Sequence, residues 1–290
     1  MATCSRSSVT VSSVTEPNIG DAYPPLEIAR KVERLGVAKA HADTLTLLAL
    51  AVLAGAFISL GALLFTVVVT GSNLGFGPTR LLGGVSFSLG LILVVVAGAE
   101  LFTGNNLIAM AWASRLIGTR EVMRNWLLVY VGNVIGCLGT VLLVVWAGVA
   151  DLADGAVGET AVRIARSKAD IPLVDAFLRG ILCNALVCLA VWLAIGARSV
   201  TDKILAIIFP ITAFVAIGFE HSIANWFFLP FAMAVDAQGA ISIVAAARNI
   251  AVVTAGNVVG GTLLVAGVYW IAYLRGERLK NARLDRSGSP

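Results

Sequence analysis

The sequence predicts an all-α integral membrane protein. Six transmembrane helices are arranged as two inverted three-helix repeats, with the second and fifth helices interrupted. Three observations lead there. The 290-residue chain is 58% hydrophobic and 13% charged, with a mean hydropathy of +0.90, far more apolar than a water-soluble domain. Polar and ionisable residues sit in the middle of otherwise apolar spans. The two halves of the chain carry the same short motifs in the same order.

Six apolar runs have the length needed to cross hydrocarbon: Leu45 to Thr70, Leu81 to Trp112, Trp126 to Val149, Val174 to Ile195, Ile204 to Met233, and Ile250 to Leu274. Ahead of them, MATCSRSSVTVSSVTEP is rich in Ser and Thr and lacks the apolar core of a cleavable signal, so 1–24 reads as a disordered cytoplasmic tail. PPLEIARKVERLGVAK spaces Leu26, Ala29, Val32 and Leu35 along one helical face. The stretch 25–43 is thus an amphipathic helix, either a surface anchor or a gating element, with His41 in its exposed neighbourhood. The six-helix domain then covers 44–275, with repeats near 44–149 and 173–275, and 276–290 forms a basic tail.

Lysine and arginine set the orientation. Most of the 21 such residues fall on one side: Arg6, Arg30, Lys31, Arg34 and Lys39, then Arg115, Arg120 and Arg124, then Arg198 and Lys203, and finally the five from Arg275 to Arg286. The positive-inside rule places both chain ends in the cytoplasm of a multi-pass plasma-membrane protein. The formal charge of +4 therefore reports orientation and no nucleic-acid partner. Cys4, Cys137, Cys183 and Cys188 have no metal-site or disulfide spacing, and neither metal nor cofactor is expected.

The fifth span, ILAIIFPITAFVAIGFEHSIANWFFLPFAM, holds Glu220, His221, Ser222 and Asn225 at its centre. Ionisable groups at that depth are expensive and are a site hypothesis by default. Pro210 and Gly218 point to an interrupted helix, which is tolerated there only beside protein or a water-filled cavity. In the second span, GAELFTGN aligns with GFEHSIAN of the fifth, matching Gly98 with Gly218, Glu100 with Glu220 and Asn105 with Asn225. Arg124-Asn125 followed by Gly132-Asn133-Val134-Ile135-Gly136 is mirrored by Arg248-Asn249 followed by Gly256-Asn257-Val258-Val259-Gly260. A three-span repeat has to reverse its sense of crossing, which makes the repeat inverted. Folds of that kind place the solute near the midplane, between discontinuous helices. The paired glycines predict close helix approach in the third and sixth spans.

These residues resemble the formate/nitrite transporter family over nearly the whole chain, through PPLEIARKVERLGVAKA, GAELFTGNNL, RGILCNALVCLAVW, GFEHSIAN and TAGNVVGGTLLVAGVYW. The resemblance implies an aquaporin-like protomer within a homopentamer, each protomer carrying its own pore for small anions such as formate and nitrite, with protons and the lipid bilayer as the other partners. It implies that Leu101, Phe102 and Thr103 form the second-helix loop that closes the cytoplasmic side, with the Thr103 hydroxyl toward His221. Glu220, His221 and Asn225 match the fifth-helix break, Lys168 and Asn184 polar partners on the outer side, and Asn257 an asparagine near the histidine. Phe87, Leu91 and Phe214 match apolar constrictions.

Read without the resemblance, Lys168 would be a solvated residue of a mixed-charge loop and the constriction residues ordinary packing. His221 beside Glu220 stands on its own, while Glu220 reads better as an orienting group for Lys168 and Asn225. In the mechanism these residues imply, the histidine hands a proton to a weak-acid anion, removing the charge that an apolar pore rejects. Hydrosulfide, acetate or lactate are alternative cargoes. An enzyme is the rival class, against which stand a single histidine within the spans and the lack of HExxH, a close Cys pair or a phosphate loop. A neutral-solute channel of aquaporin type would be expected to carry paired Asn-Pro-Ala turns, where this chain has Asn105-Asn106 and Ala224-Asn225-Trp226.

Overall fold

The computed structural model describes residues 21–236, 238–239 and 241–279. Cys4, Arg6, most of the N-terminal tail and residues 280–290 of the basic tail lie outside the described residues. The described chain is helical, with six helices long and apolar enough to cross a membrane.

Helix α1 (Pro25–Ala40) starts on a proline in its first turn, where the missing N–H costs nothing. It buries Ile28, Ala29 and Val32 against the bundle. Helix α2 (Thr44–Val69) is capped by Asp43, whose carboxylate accepts the Thr46 N–H at 2.9 Å. Helix α3 (Phe76–Val96) is the first half of the second span. It begins five residues ahead of the apolar run because Gly75, at φ +80°, turns the chain and Pro78 fits the first turn. The second half is α4 (Phe102–Asn105), a 3-10 turn at Asn106–Ile108, and α5 (Ala109–Ala113). Helix α6 (Thr119–Trp146) starts well before Trp126, since the polar TREVMRN segment is helical too and Glu121 accepts the Gly118 N–H.

The second half repeats this order. Helix α7 (Ala156–Ala169) replaces the expected mixed-charge loop. Val157, Ala161, Ala165 and Ala169 recur every four residues and are buried, which gives the segment an apolar stripe to pack. Helix α8 (Leu173–Gly196) precedes the split fifth span, α9 (Val200–Ile217) and α10 (Ser222–Val235). Pro210 is accommodated inside α9, and the interruption falls at Gly218, φ +88°. The sixth span begins with α11 (Ile243–Val259) and runs on through π-helical turns at Gly260–Gly267 and Trp270–Leu274.

The packing is also repeated. Helix α2 lies against α6 as α8 lies against α11, while α3 packs on α9 between the halves. The paired glycines sit at those crossings. A Cβ on Gly136 would collide with the Val52 carbonyl of α2, and one on Gly260 with the Ile181 carbonyl of α8. Both obstacles are backbone and cannot swing aside. Gly136→Leu is therefore expected to destabilise the protomer by about 1–3 kcal/mol or more, seen as a lower unfolding midpoint in mild detergent. A variant that melts with the parent would remove the glycine from the packing argument.

Candidate functional site

Breaking a helix at membrane depth leaves backbone donors and acceptors without water to satisfy them. Two asparagines meet that demand. Asn133 Nδ2 donates to the carbonyls of Ala51 (2.7 Å) and Glu100 (2.9 Å), and its Oδ1 accepts the Phe102 N–H at 2.9 Å. Asn257 Nδ2 donates to Gly180 (2.8 Å) and Glu220 (2.9 Å), and its Oδ1 accepts the Ser222 N–H at 2.9 Å. The Glu100 N–H bonds the Leu50 carbonyl at 3.2 Å, and the Glu220 N–H bonds that of Arg179 at 3.3 Å. Arg80 adds bonds to the Val215 and Ala216 carbonyls at the end of α9, where helix C-termini leave acceptors unpaired.

So held, the N-terminal ends of α4 and α10 meet. Thr103 Oγ1 lies 3.1 Å from His221 Nε2, and both residues are buried. His221 also caps α10: its Nδ1 accepts the Ala224 N–H at 3.1 Å. A backbone amide can only donate, so Nδ1 carries no hydrogen in this arrangement. The neutral ring then bears its hydrogen on Nε2 and donates it to Thr103, leaving the threonine O–H free to donate onward.

Cavities flank this pair on both sides. The one on the α7 side, called outer after the expected orientation and about 220 Å³, is lined by Lys168, Glu220 and His221 together with Arg80, Arg179 and the rings of Phe87 and Phe214. Phe87 and Phe214 meet edge to face, centroids 5.6 Å apart, and Phe214 stacks at 6.0 Å from the His221 ring. The inner cavity, about 80 Å³, is lined by Leu91, Leu101, Gly104 and Lys39 among others. The predicted constriction residues thus divide, with Phe87 and Phe214 outside the histidine and Leu91 and Leu101 inside it.

Two predicted residues stand elsewhere. Phe102 lines neither cavity; its ring packs edge to face on Trp126 and Tyr130 of α6. Asn184 is not beside Lys168 at the outer cavity. Its Nδ2 bonds Asn106 Oδ1 (2.7 Å) and the Asn257 carbonyl (2.6 Å), bridging α8 to both the second and the sixth span. Cys137, Cys183 and Cys188 are buried free thiols.

Each half also holds a charge cluster, buried at Glu220 in the second half and part-buried in the first. Lys168 Nζ pairs with Glu220 Oε1 at 2.9 Å, Asn225 bridges Glu220 (2.7 Å) to Asn249 (2.8 Å), and Asn249 returns to the Lys168 carbonyl at 2.8 Å. The first half repeats the same ring of contacts, with one more bond from Lys39 Nζ to Asn105 Oδ1 at 2.9 Å, where Asn225 Oδ1 has no partner among the described residues. Lys39 Nζ pairs with Glu100 at 2.8 Å, Asn105 bridges Glu100 (2.7 Å) to Asn125 (3.0 Å), and Asn125 returns to the Lys39 carbonyl at 3.0 Å. The sequence assigns Asn225 to the fifth-helix break but gives Asn105, Asn125 and Asn249 no role at the site, and it uses Lys39 for orientation only, with no site role for Lys39, Arg80 or Arg179. One signal was available for Lys39. Both lysines fall in the last turn of the amphipathic helix preceding the first span of their half.

A six-span bundle with two broken helices meeting at a buried polar pair, and a cavity on either side, defines a membrane transport protein. The sequence pattern described as Formate/nitrite transporter matches residues 26–271. The chain is 39% identical to the formate channel FocA of Escherichia coli (strain K12), over 88% of this chain and 96% of the relative. It is 36% identical to a probable formate transporter of Methanothermobacter thermautotrophicus, over 87% and 97%. Among solved structures, a pentameric formate channel with formate bound matches with a TM-score of 0.75 at 39% identity, covering 80% of this chain and 98% of that one. An FNT family ion channel matches with a TM-score of 0.79 at 29% identity, covering 85% and 98%. The chain belongs to the formate/nitrite transporter family.

The Lys168–Glu220 pair yields a stability prediction. The Lys168 side chain is 14% exposed and that of Glu220 4%, so removing one partner strands a buried charge. Glu220→Ala is expected to cost about 3–5 kcal/mol. Replacing both residues by methionine restores most of it, since no charge is then left unpaired. Unfolding midpoints in detergent decide this, and a double variant no better than Glu220→Ala would show that the pair is not the cause.

Proposed function

We propose that the chain forms a path through each protomer for formate and other small monovalent weak-acid anions, nitrite among them. The observation that carries this reading is what flanks the buried Thr103–His221 pair: a cationic cavity lined by the Phe87 and Phe214 rings and His221 itself, and a second, mostly apolar cavity lined by Leu91, Leu101 and Lys39. Arg80, Lys168 and Arg179 outnumber Glu220 around the outer cavity and draw in an anion. The aromatic pair strips its water. The Thr103 hydroxyl, oriented by His221, then offers a hydrogen bond to the oxygen of the solute.

A bare carboxylate between apolar walls is costly, and a neutral acid is far less so, which favours passage of the anion together with a proton. His221 relays that proton only when its ring gives up the Ala224 N–H, because Nδ1 cannot hold both that bond and a hydrogen. Relay and helix cap are alternative states of one ring. The pentameric, formate-bound relative supports a homopentamer of such pores. The excess of Lys and Arg on one side supports a plasma-membrane orientation with both chain ends in the cytoplasm. The family and the channel names of the relatives support transport over catalysis.

Two measurements test the reading. Proteoliposomes containing the protein are expected to take up labelled formate and nitrite and to exclude glycerol; glycerol entry with formate excluded would overturn it. For the proton, His221→Asn keeps the cap, since asparagine is among the best N-cap residues, but removes the Nε2–H. Formate uptake by this variant is expected to lose the pH dependence seen with the parent while some anion leak remains. An unaltered pH profile at equal assembled protein would take His221 out of proton transfer.

A further inference from the structure

On the α1 side of the bundle, a cavity of about 850 Å³ adjoins the inner cavity, and Leu35, Val95, Val191 and Ile195 line both. Its charged lining is of one sign: Lys31, Arg34, Arg198 and Lys203, with no acidic residue among the described residues that line it. Lys31 and Arg34 lie one turn apart on α1. Their neighbours Arg30 and Glu33 are engaged elsewhere, with Glu277 and Arg278 at the far end of the sixth span. Among the described residues, no carboxylate stands within ion-pair distance of Lys31, Arg34 or Lys203. Lys31 Nζ and the Arg198 guanidinium both lie against the Tyr23 ring, 2.9 Å and 4.3 Å from its centroid. Tyr23 is itself tied to the end of α8 through its N–H to the Gly196 carbonyl at 3.0 Å.

Four cations converging on one cavity repel each other, and the nearby protein supplies no described acid to relieve three of them. A multivalent anion would. The basin is wide open on one side and has room for an organic ligand, far more than a three- or four-atom permeant requires. Arginine forks match phosphate oxygens in a way that point charges do not, and the shared Leu35, Val95, Val191 and Ile195 offer an apolar wall to the remainder of a ligand.

We propose that this cavity binds a phosphate-bearing organic anion of two or more negative charges, and that its occupancy plugs the inner mouth of the path. Two sources share that chemistry, a soluble phosphate ester such as a nucleoside diphosphate and the headgroup of an acidic lipid. The plugging rests on the permeation reading above; the binding does not.

The test uses the full chain in neutral detergent, titrated with ADP, with phosphatidylglycerol, and with formate and phosphatidylcholine as controls. The unfolding midpoint rises with ADP or with phosphatidylglycerol and with neither control, and the responding probe identifies the source. The Arg34→Gln/Lys203→Gln variant binds that probe at least tenfold more weakly, while the charge-preserving Arg34→Lys/Lys203→Arg variant keeps most of the affinity and serves as the control for folding. No response to either probe, or equal binding by the neutralised variant, overturns the site. In proteoliposomes, saturating probe on the α1 side at least halves formate flux through the unmodified protein and leaves flux through the neutralised variant unchanged. Undiminished flux at saturation overturns the plug. Formate flux lacking even without probe counts against the permeation reading, and the detergent titration still decides the site.

Discussion

The unpaired backbone at the two helix interruptions is the constraint that organises this protein. Each interruption exposes peptide groups where no lipid or bulk water can satisfy them, at about 1–3 kcal/mol for each orphaned group. Asn133 and Asn257 answer with both amide hydrogens and the carbonyl oxygen, each stitching a broken segment to a neighbouring helix. Because those neighbours are intact spans, the loop ends inherit their rigidity. The Thr103–His221 contact and the placement of Leu101 follow from that anchoring.

The two halves share their scaffold and differ in their chemistry. Glycine crossings, asparagine clamps and Lys–Glu–Asn–Asn clusters recur in both. The departures from that symmetry gather near the midplane. His221 stands where the first half has Leu101, and Asn184 stands at the position of Gly55. The repeated scaffold thus gives each half a Lys–Glu cluster beside a cavity, while one histidine gives the centre a hydrogen-bond donor that the repeat alone would not.

Helices α1 and α7 belong to that repeat as well, each ending in the lysine of its half. Helix α7 delivers Lys168 to the outer cavity by packing Ala165 and Ala169 beside Leu229 and Ala232 of α10. Helix α1 delivers Lys39 to the inner cavity and lays a second, cationic face toward the wider basin beyond it. A single amphipathic helix of this kind carries the lysine of one cluster and lines two cavities.

By itself, the sequence determined what depends on local pattern and composition. Hydropathy marked the six spans, since burying a run of apolar residues in lipid needs no knowledge of its neighbours. The register of Gly98, Glu100 and Asn105 with Gly218, Glu220 and Asn225 exposed the repeat, and the cost of a titratable group at that depth singled out Glu220 and His221. What only the tertiary structure decided was which distant groups meet. The pairing of Lys39 with Glu100, the clamps of Asn133 and Asn257, and the entry of Arg80 and Arg179 into the outer cavity join residues far apart in the chain, and no local spacing encodes such contacts. The same holds for Phe102 and Asn184, whose side chains meet partners on other helices. For His221 the two levels meet: the ring tautomer follows from a local bond to the Ala224 amide, while the helix start that presents that amide is held from the sixth span by Asn257 at Ser222, a contact only the tertiary structure supplies.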